Sequence, residues 1–198
     1  LCLEGMTHGE TKRIAFRQGL PSEQGETLAK TIELNVYVQD RGSNLYRRSL
    51  YTLWKRTSPP PSMMAFDAPN RELCMMSRET TNTPLQALTL LNDPQFVEAS
   101  RVFAERLLNE MPDVDGESIL RRAFEIVTSR LPSEIELGEL VAAWEEQCSY
   151  FESHRSEAKA LLRVGESSSD ENLDVVQHAA LAGIANLVFN LSEAITKG

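Results

Sequence analysis

The sequence predicts a mainly α-helical chain, a bundle of five to six helices crossed by a long proline-rich loop. Three observations point there. From Thr83 onward, residues that start and stop helices recur in pairs. Between those signals, apolar residues return with the 3.6-residue period of an amphipathic helix. Upstream, "SPPPSMMAFDAPNRE" reads as non-helical, because consecutive prolines remove backbone donors and hold preceding residues extended.

Residues 1–30 are polar and carry Gly5, Gly9, Gly19 and Gly25, so they read as loop or arm. "IELNVYV" at 32–38 is β-prone, and "QDRGSN" after it signals a turn. "LYRRSLYTLWKRT" fits a helix through Tyr46, Leu50, Leu53 and Trp54, or a strand through Leu50, Thr52 and Trp54; periodicity leaves both open. In "TPLQ", Thr83 is the N-cap, Pro84 the first helical residue and Gln86 the partner that completes a capping box. That helix stops near Asn92, an asparagine suited to left-handed geometry, and Asp93 caps the next with Pro94 at its first position. There Phe96, Ala99, Phe103 and Leu107 form the expected buried stripe, while Glu98, Arg101, Glu105 and Arg106 form the wet side. Ile119, Leu120, Ala123, Phe124 and Val127 mark a short amphipathic helix. Ser133 and Glu136 make a second capping box before a long helix through Leu137, Trp144, Cys148 and Phe151. "SEAKALLRVG" is a short helix closed by Gly165, "ESSSDEN" a mobile acidic loop, and Asp174 caps a final helix apolar on most of its circumference. That last helix belongs in the middle of the bundle.

Composition narrows the function classes. The chain has 29 acids against 20 bases, a formal charge of −9, and this acidic balance argues against a nucleic-acid surface. No apolar run approaches the roughly 20 residues that span a bilayer, so no membrane insertion is expected. The start of the chain lacks the pattern of a secretory signal. Cys2, Cys74 and Cys148 are too scattered for a disulfide framework or metal site, and His8, His154 and His178 are far apart. No metal and no cofactor is expected.

Chemistry-bearing residues concentrate between 46 and 93. Asp67, Glu72, Glu79 and Asp93 supply carboxylates, and glycoside hydrolysis needs two facing across roughly 5–10 Å. Arg56, Arg78, Thr81, Gln86 and Asn92 are binding candidates, Arg78 as an anion holder beside a helix start. The structural alternative gives Arg78 to Asp67 or Glu79 as an ion pair, Gln86 to its capping box and Asn92 to closing its helix. Tyr46, Tyr51 and Trp54 with Arg47, Arg48, Lys55 and Arg56 make a basic–aromatic patch suited to an anionic glycan, or a structural element whose aromatics are core.

Several stretches carry a family resemblance. "LYRRSLYTLWKRTSPPPSMMAFDAPNRELC" and "RETTNTPLQALTLLNDPQFVEASRVFAERLL" resemble the C-terminal domain of unknown function of planctomycete cytochrome-type proteins. "RAFEIVTSRLPSEIELGEL" and "LVFNLSEAITKG" agree with that domain downstream. The resemblance covers residues 37–198 and leaves 1–36 as an unassigned N-terminal arm. It tips "RRSLYTLWKR", residues 47–56, toward a strand that pairs with 32–38 as a small β-hairpin. It also implies a large exported or periplasmic parent in a glycan-handling setting. Longer relatives carry a haem module, but the haem motif CxxCH is absent here. The expected function is therefore a non-catalytic scaffold or interaction module with a glycan or protein partner. The alternative is a glycan- or ester-directed hydrolase using carboxylates within 67–93.

Overall fold

The computed structural model describes residues 11–16, 30–35, 40–52, 54, 59–69, 74, 76–77, 81–112 and 114–195. The chain divides into two compact units, Leu1–Glu79 and Thr80–Gly198. The described residues are mainly helical, as the sequence predicts.

In the first unit, β1 (Thr11–Phe16) runs antiparallel to β2 (Lys30–Asn35), in register from Thr11 opposite Asn35 to Phe16 opposite Lys30. The hairpin expected between 32–38 and the segment around Tyr51 is not supported. Ser49–Tyr51 is a turn of 3-10 helix, with Tyr51 N–H donating to Arg48 O and Thr52 N–H to Ser49 O. Local turn bonds thus occupy backbone groups that a strand ladder would need. A second correction falls on the proline-rich segment, where Pro61–Ala65 forms a short helix, α1. Pro60 is extended and Pro61 sits at the first helical position, where a missing N–H costs nothing. Asp67 then turns left-handed (φ 56°), while Ala68 N–H donates to Met63 O and Asp67 N–H to Met64 O. That bond pair is a Schellman closure, with aspartate at the position that glycine usually fills.

The second unit holds α2 (Pro84–Asn92), α3 (Pro94–Glu110), α4 (Gly116–Thr128), α5 (Glu134–Ser153), α6 (Arg155–Leu161), α7 (Val175–Phe189) and α8 (Ser192–Ile195). Both capping boxes are present. Thr83 Oγ1 accepts from Gln86 N–H while Gln86 Oε1 accepts from Thr83 N–H, and Ser133 with Glu136 repeats the exchange. Asp93, Asp115 and Asp174 cap α3, α4 and α7. Ser133→Ala and Thr83→Ala are each expected to lower stability by about 1 kcal/mol. Urea melts followed by circular dichroism check this, and unchanged midpoints would remove the caps from the account.

α7 is central, packed against α3 and α5 and touched by α2, α4 and α6. Its Ala179, Ala180, Ala182 and Ala185 are buried, so neighbouring helices approach closely. Around its far half Leu107, Leu120, Phe124, Leu137, Ile184 and Val188 form the main core. A second cluster of Phe151, Ala158, Leu162 and Val176 lies at its start, and Trp144 borders both. Arg130 clasps α5 and α8 by bonding Glu136 and Glu193, and lies 4.7 Å over the Phe124 ring. Hydrogen bonds from Arg130 and then Ser133 hold the Glu136 carboxyl down at about 2.

α3 departs from expectation. Glu98 and Arg101, placed by periodicity on the wet side, are 3% and 0% exposed, and Ala99 from the expected stripe is exposed. Phe103 and Leu107 keep their places in or against the core. Among the described residues, no helix is long and apolar enough to cross a membrane.

Candidate functional site

Two features of the helical unit concentrate polar chemistry. The first lies under residues 165–170, which overlap the acidic "ESSSDEN" loop (166–172) that the sequence reads as mobile. Gly165 ends the α6 region with φ +100°, and a Cβ there would overlap the Glu98 carboxylate. The loop therefore lies directly on α3. Ser167 N–H donates to Glu98 Oε1 (2.7 Å), and Asp170 N–H to Glu105 Oε2 (3.2 Å). Between those acids the Arg101 guanidinium donates to Ser167 O (2.9 Å), Ser167 Oγ and Ser168 O (3.4 Å). It lies 3.9 Å from Glu98 and 3.5 Å from Glu105. The Arg101–Glu105 spacing is thus used as an ion pair, but against a loop rather than in solvent.

His178 of α7 lies behind this cluster, its Nε2 donating to Arg101 O at 3.1 Å. Its buried Nδ1 has no hydrogen-bond partner. A proton added there would create a charge with no acceptor, and burial lowers the pKa from 6.5. The facing groups are Arg101, Glu105 and Asp170, and burial outweighs the attraction of the two acids. The folded pKa is depressed, so the neutral ring contributes stability that is full above 6.5 and is lost as pH falls through the folded value. The urea midpoint should therefore decline as pH drops below 6.5, with His178→Leu flattening that segment. A wild-type midpoint that is flat there would refute the assignment.

The second feature is an open cleft of about 240 Å³ among α2, α3, α5, α6 and α7. Leu91, Val97, Leu161 and Leu187 form aliphatic walls, over a floor of Ala182 and Gly183. Ser100, Gln147 and Asn186 are its polar members. Ser100 Oγ is committed to Val97 O at 2.8 Å. Asn186 is 9% exposed, and its Oδ1 is buried without a hydrogen-bond partner. Among the described lining residues none is ionisable.

Of the residues singled out in the sequence, the described ones in the helical unit, Thr81, Gln86, Asn92 and Asp93, are neither cleft-lining residues nor partners of Arg101. Asp93 Oδ1 accepts from Gln95 N–H (2.9 Å) as an N-cap, and Asp67 supplies the left-handed closure of α1. Gln86 is buried in its capping box, and its Nε2 donates to Thr81 Oγ1 at 3.1 Å. Asn92 ends α2 without left-handed geometry: among the described non-glycine residues only Asp67 and Ser129 have positive φ. Its Nδ2 donates instead to Leu88 O at 3.0 Å. Tyr46 and Tyr51 are exposed, and Trp54 is half-buried. Arg56, Glu72, Arg78 and Glu79 lie outside the described residues, as does Lys55.

His154 is exposed and stacks on Tyr150 at 4.3 Å. Cys148 is half-buried, and burial raises its thiol pKa. Among the described residues, no group of three or more His, Cys, Asp or Glu is placed to hold a metal. Sequence reasoning missed both features. The signal for the cleft was one asparagine, three residues after a glycine, inside the apolar run "AALAGIANLVF".

A family model described as PSD1, a protein of unknown function (DUF1553), matches residues 13–144. The matched stretch takes in β2, α1 to α4 and the first part of α5. No curated protein and no solved structure matched the chain.

Proposed function

We propose that this chain, which belongs to the PSD1 (DUF1553) family of proteins of unknown function, is a non-catalytic interaction module. One observation carries the reading. The charged side chains buried in the helical unit, Glu98 and Arg101, brace the 165–170 loop through a Glu98 carboxylate oxygen and the two terminal nitrogens of Arg101. Perturbed charges in an enzyme would instead be gathered in a cleft beside a substrate space. Here the open cleft is lined by uncharged groups, and Asp67 and Asp93 serve helix ends.

The family resemblance adds an exported bacterial parent in a glycan-handling setting, and both belong to the proposal. A chromogenic glycoside and ester screen of the full chain tests the non-catalytic part, with Asp67→Asn and Asp93→Asn as controls. Asparagine keeps the left-handed tolerance and the capping oxygen of aspartate, so both controls should fold. No turnover above background is expected; turnover lost in either control would overturn the reading. Fractionation of cells producing the parent protein tests export, and recovery in the cytosolic fraction would remove that part.

A further inference from the structure

We propose that residues 165–174 form an acid-released strap: a proton on His178 Nδ1 and the closed seat of this segment on α3 exclude each other, so the segment lifts as pH falls while the helices stay packed. This device is independent of what the module binds.

Arg101 links the two ends of the device. Its carbonyl accepts from His178 Nε2, while its guanidinium donates to Ser167 O and Ser168 O. His178 is 1% exposed, and its Nδ1 is closed to solvent with no hydrogen-bond partner. With Nε2–H given to a carbonyl, Nδ1 is the position left for a second proton. A cation there without an acceptor carries the full desolvation cost, so protonation needs water at the ring. Proton uptake and opening are therefore one event.

The bonds that hold each covering element decide which one opens. α3 and α5 meet α7 through the apolar clusters. No residue from 165 to 174 belongs to either cluster or is fully buried. Its seat is polar: Ser167 N–H on Glu98 Oε1, Asp170 N–H on Glu105 Oε2, and the two Arg101 bonds. Segments held by few apolar contacts open before the whole fold does. The groups facing His178 are Arg101 and Glu105 from α3 and Asp170 from the segment itself, and Asp174 caps its own helix one turn earlier. Arg101 opposes a cation on the ring and the acids favour it, but burial is the largest influence. Lifting the segment carries Asp170 away and admits water, so the ring returns toward its ordinary pKa of 6.5. What the released segment uncovers is the α3 face that carries Glu98, Arg101 and Glu105.

Amide hydrogen exchange in the full 198-residue chain, followed by NMR at Ser167, Asp170 and the core residue Ile184, tests this. The measurements run from about pH 8 to about pH 5, the range in which a histidine titrates. At the alkaline end Ser167 and Asp170 should be protected, but less than Ile184, which exchanges only when the bundle unfolds. Below 6.5 their protection should fall by up to about tenfold per pH unit. His178→Gln keeps an N–H donor for Arg101 O but takes no proton, so protection at Ser167 and Asp170 should stay flat in it. Protection that is flat in wild type overturns the proposal. So does an equal fall in His178→Gln, which would assign the release to Glu98 and Glu105. Exchange of Ser167 and Asp170 at the protection level of Ile184 overturns it as well, because the whole bundle would then be opening. Absence of protection at the alkaline end does the same, because the seat would never close. If His178→Gln does not fold, the wild-type ring signals take its place: complete loss of protection while the His178 ring stays neutral overturns the proposal.

Discussion

Arg101→Met is expected to destabilise the helical unit by about 3–5 kcal/mol, the cost of leaving a buried charge without its partner. Arg101 is fully buried, flanked by Glu98 and Glu105, and donates to the backbone of Ser167 and Ser168. Its loss strands the Glu98 carboxylate, which is 3% exposed, and opens the carbonyls it had satisfied. Removing both charges together should be far milder, since a buried ion pair is often matched by apolar groups of similar volume. Glu98→Gln with Arg101→Met should therefore recover a large part of the loss. Urea unfolding of the two single variants and the double variant gives the coupling directly. A single-variant cost below about 1 kcal/mol would mean that the cluster behaves as an ordinary surface pair.

Gly165→Ala should be the next most damaging, at about 2–3 kcal/mol. Its φ of +100° is one that a side chain rarely adopts, and the added methyl would meet the Glu98 carboxylate. These two costs separate in a Glu98→Ala background, where only the backbone part should remain. If the cost of Gly165→Ala is the same in both backgrounds, the loop does not rest on Glu98 as described.

The helix starts were legible because their chemistry is local. Thr83 with Gln86, Ser133 with Glu136, and Asp93, Asp174 each satisfy backbone donors within three residues, so adjacent letters carry the signal. The buried side of α3 was not legible. Periodicity assigns charged residues to solvent, but Glu98 and Arg101 are covered by a loop more than sixty residues away in sequence. What covers them is polar backbone, which leaves no hydrophobic pattern to detect. The 3-10 turn at Ser49–Tyr51 escaped for another reason: a short apolar run fits several conformations, and local hydrogen bonds decided among them. The cleft depends on how five helices meet, and only Asn186 within an apolar helix hinted at it.

The two tryptophans fall on opposite sides of the division between Glu79 and Thr80, Trp54 in the first unit and Trp144 in the second. Each unit thus contains its own built-in fluorophore. A Trp54→Phe chain would emit from α5 alone, and a Trp144→Phe chain from the first unit alone. Melting curves recorded on the two would reveal whether the halves lose structure as one cooperative block or in succession.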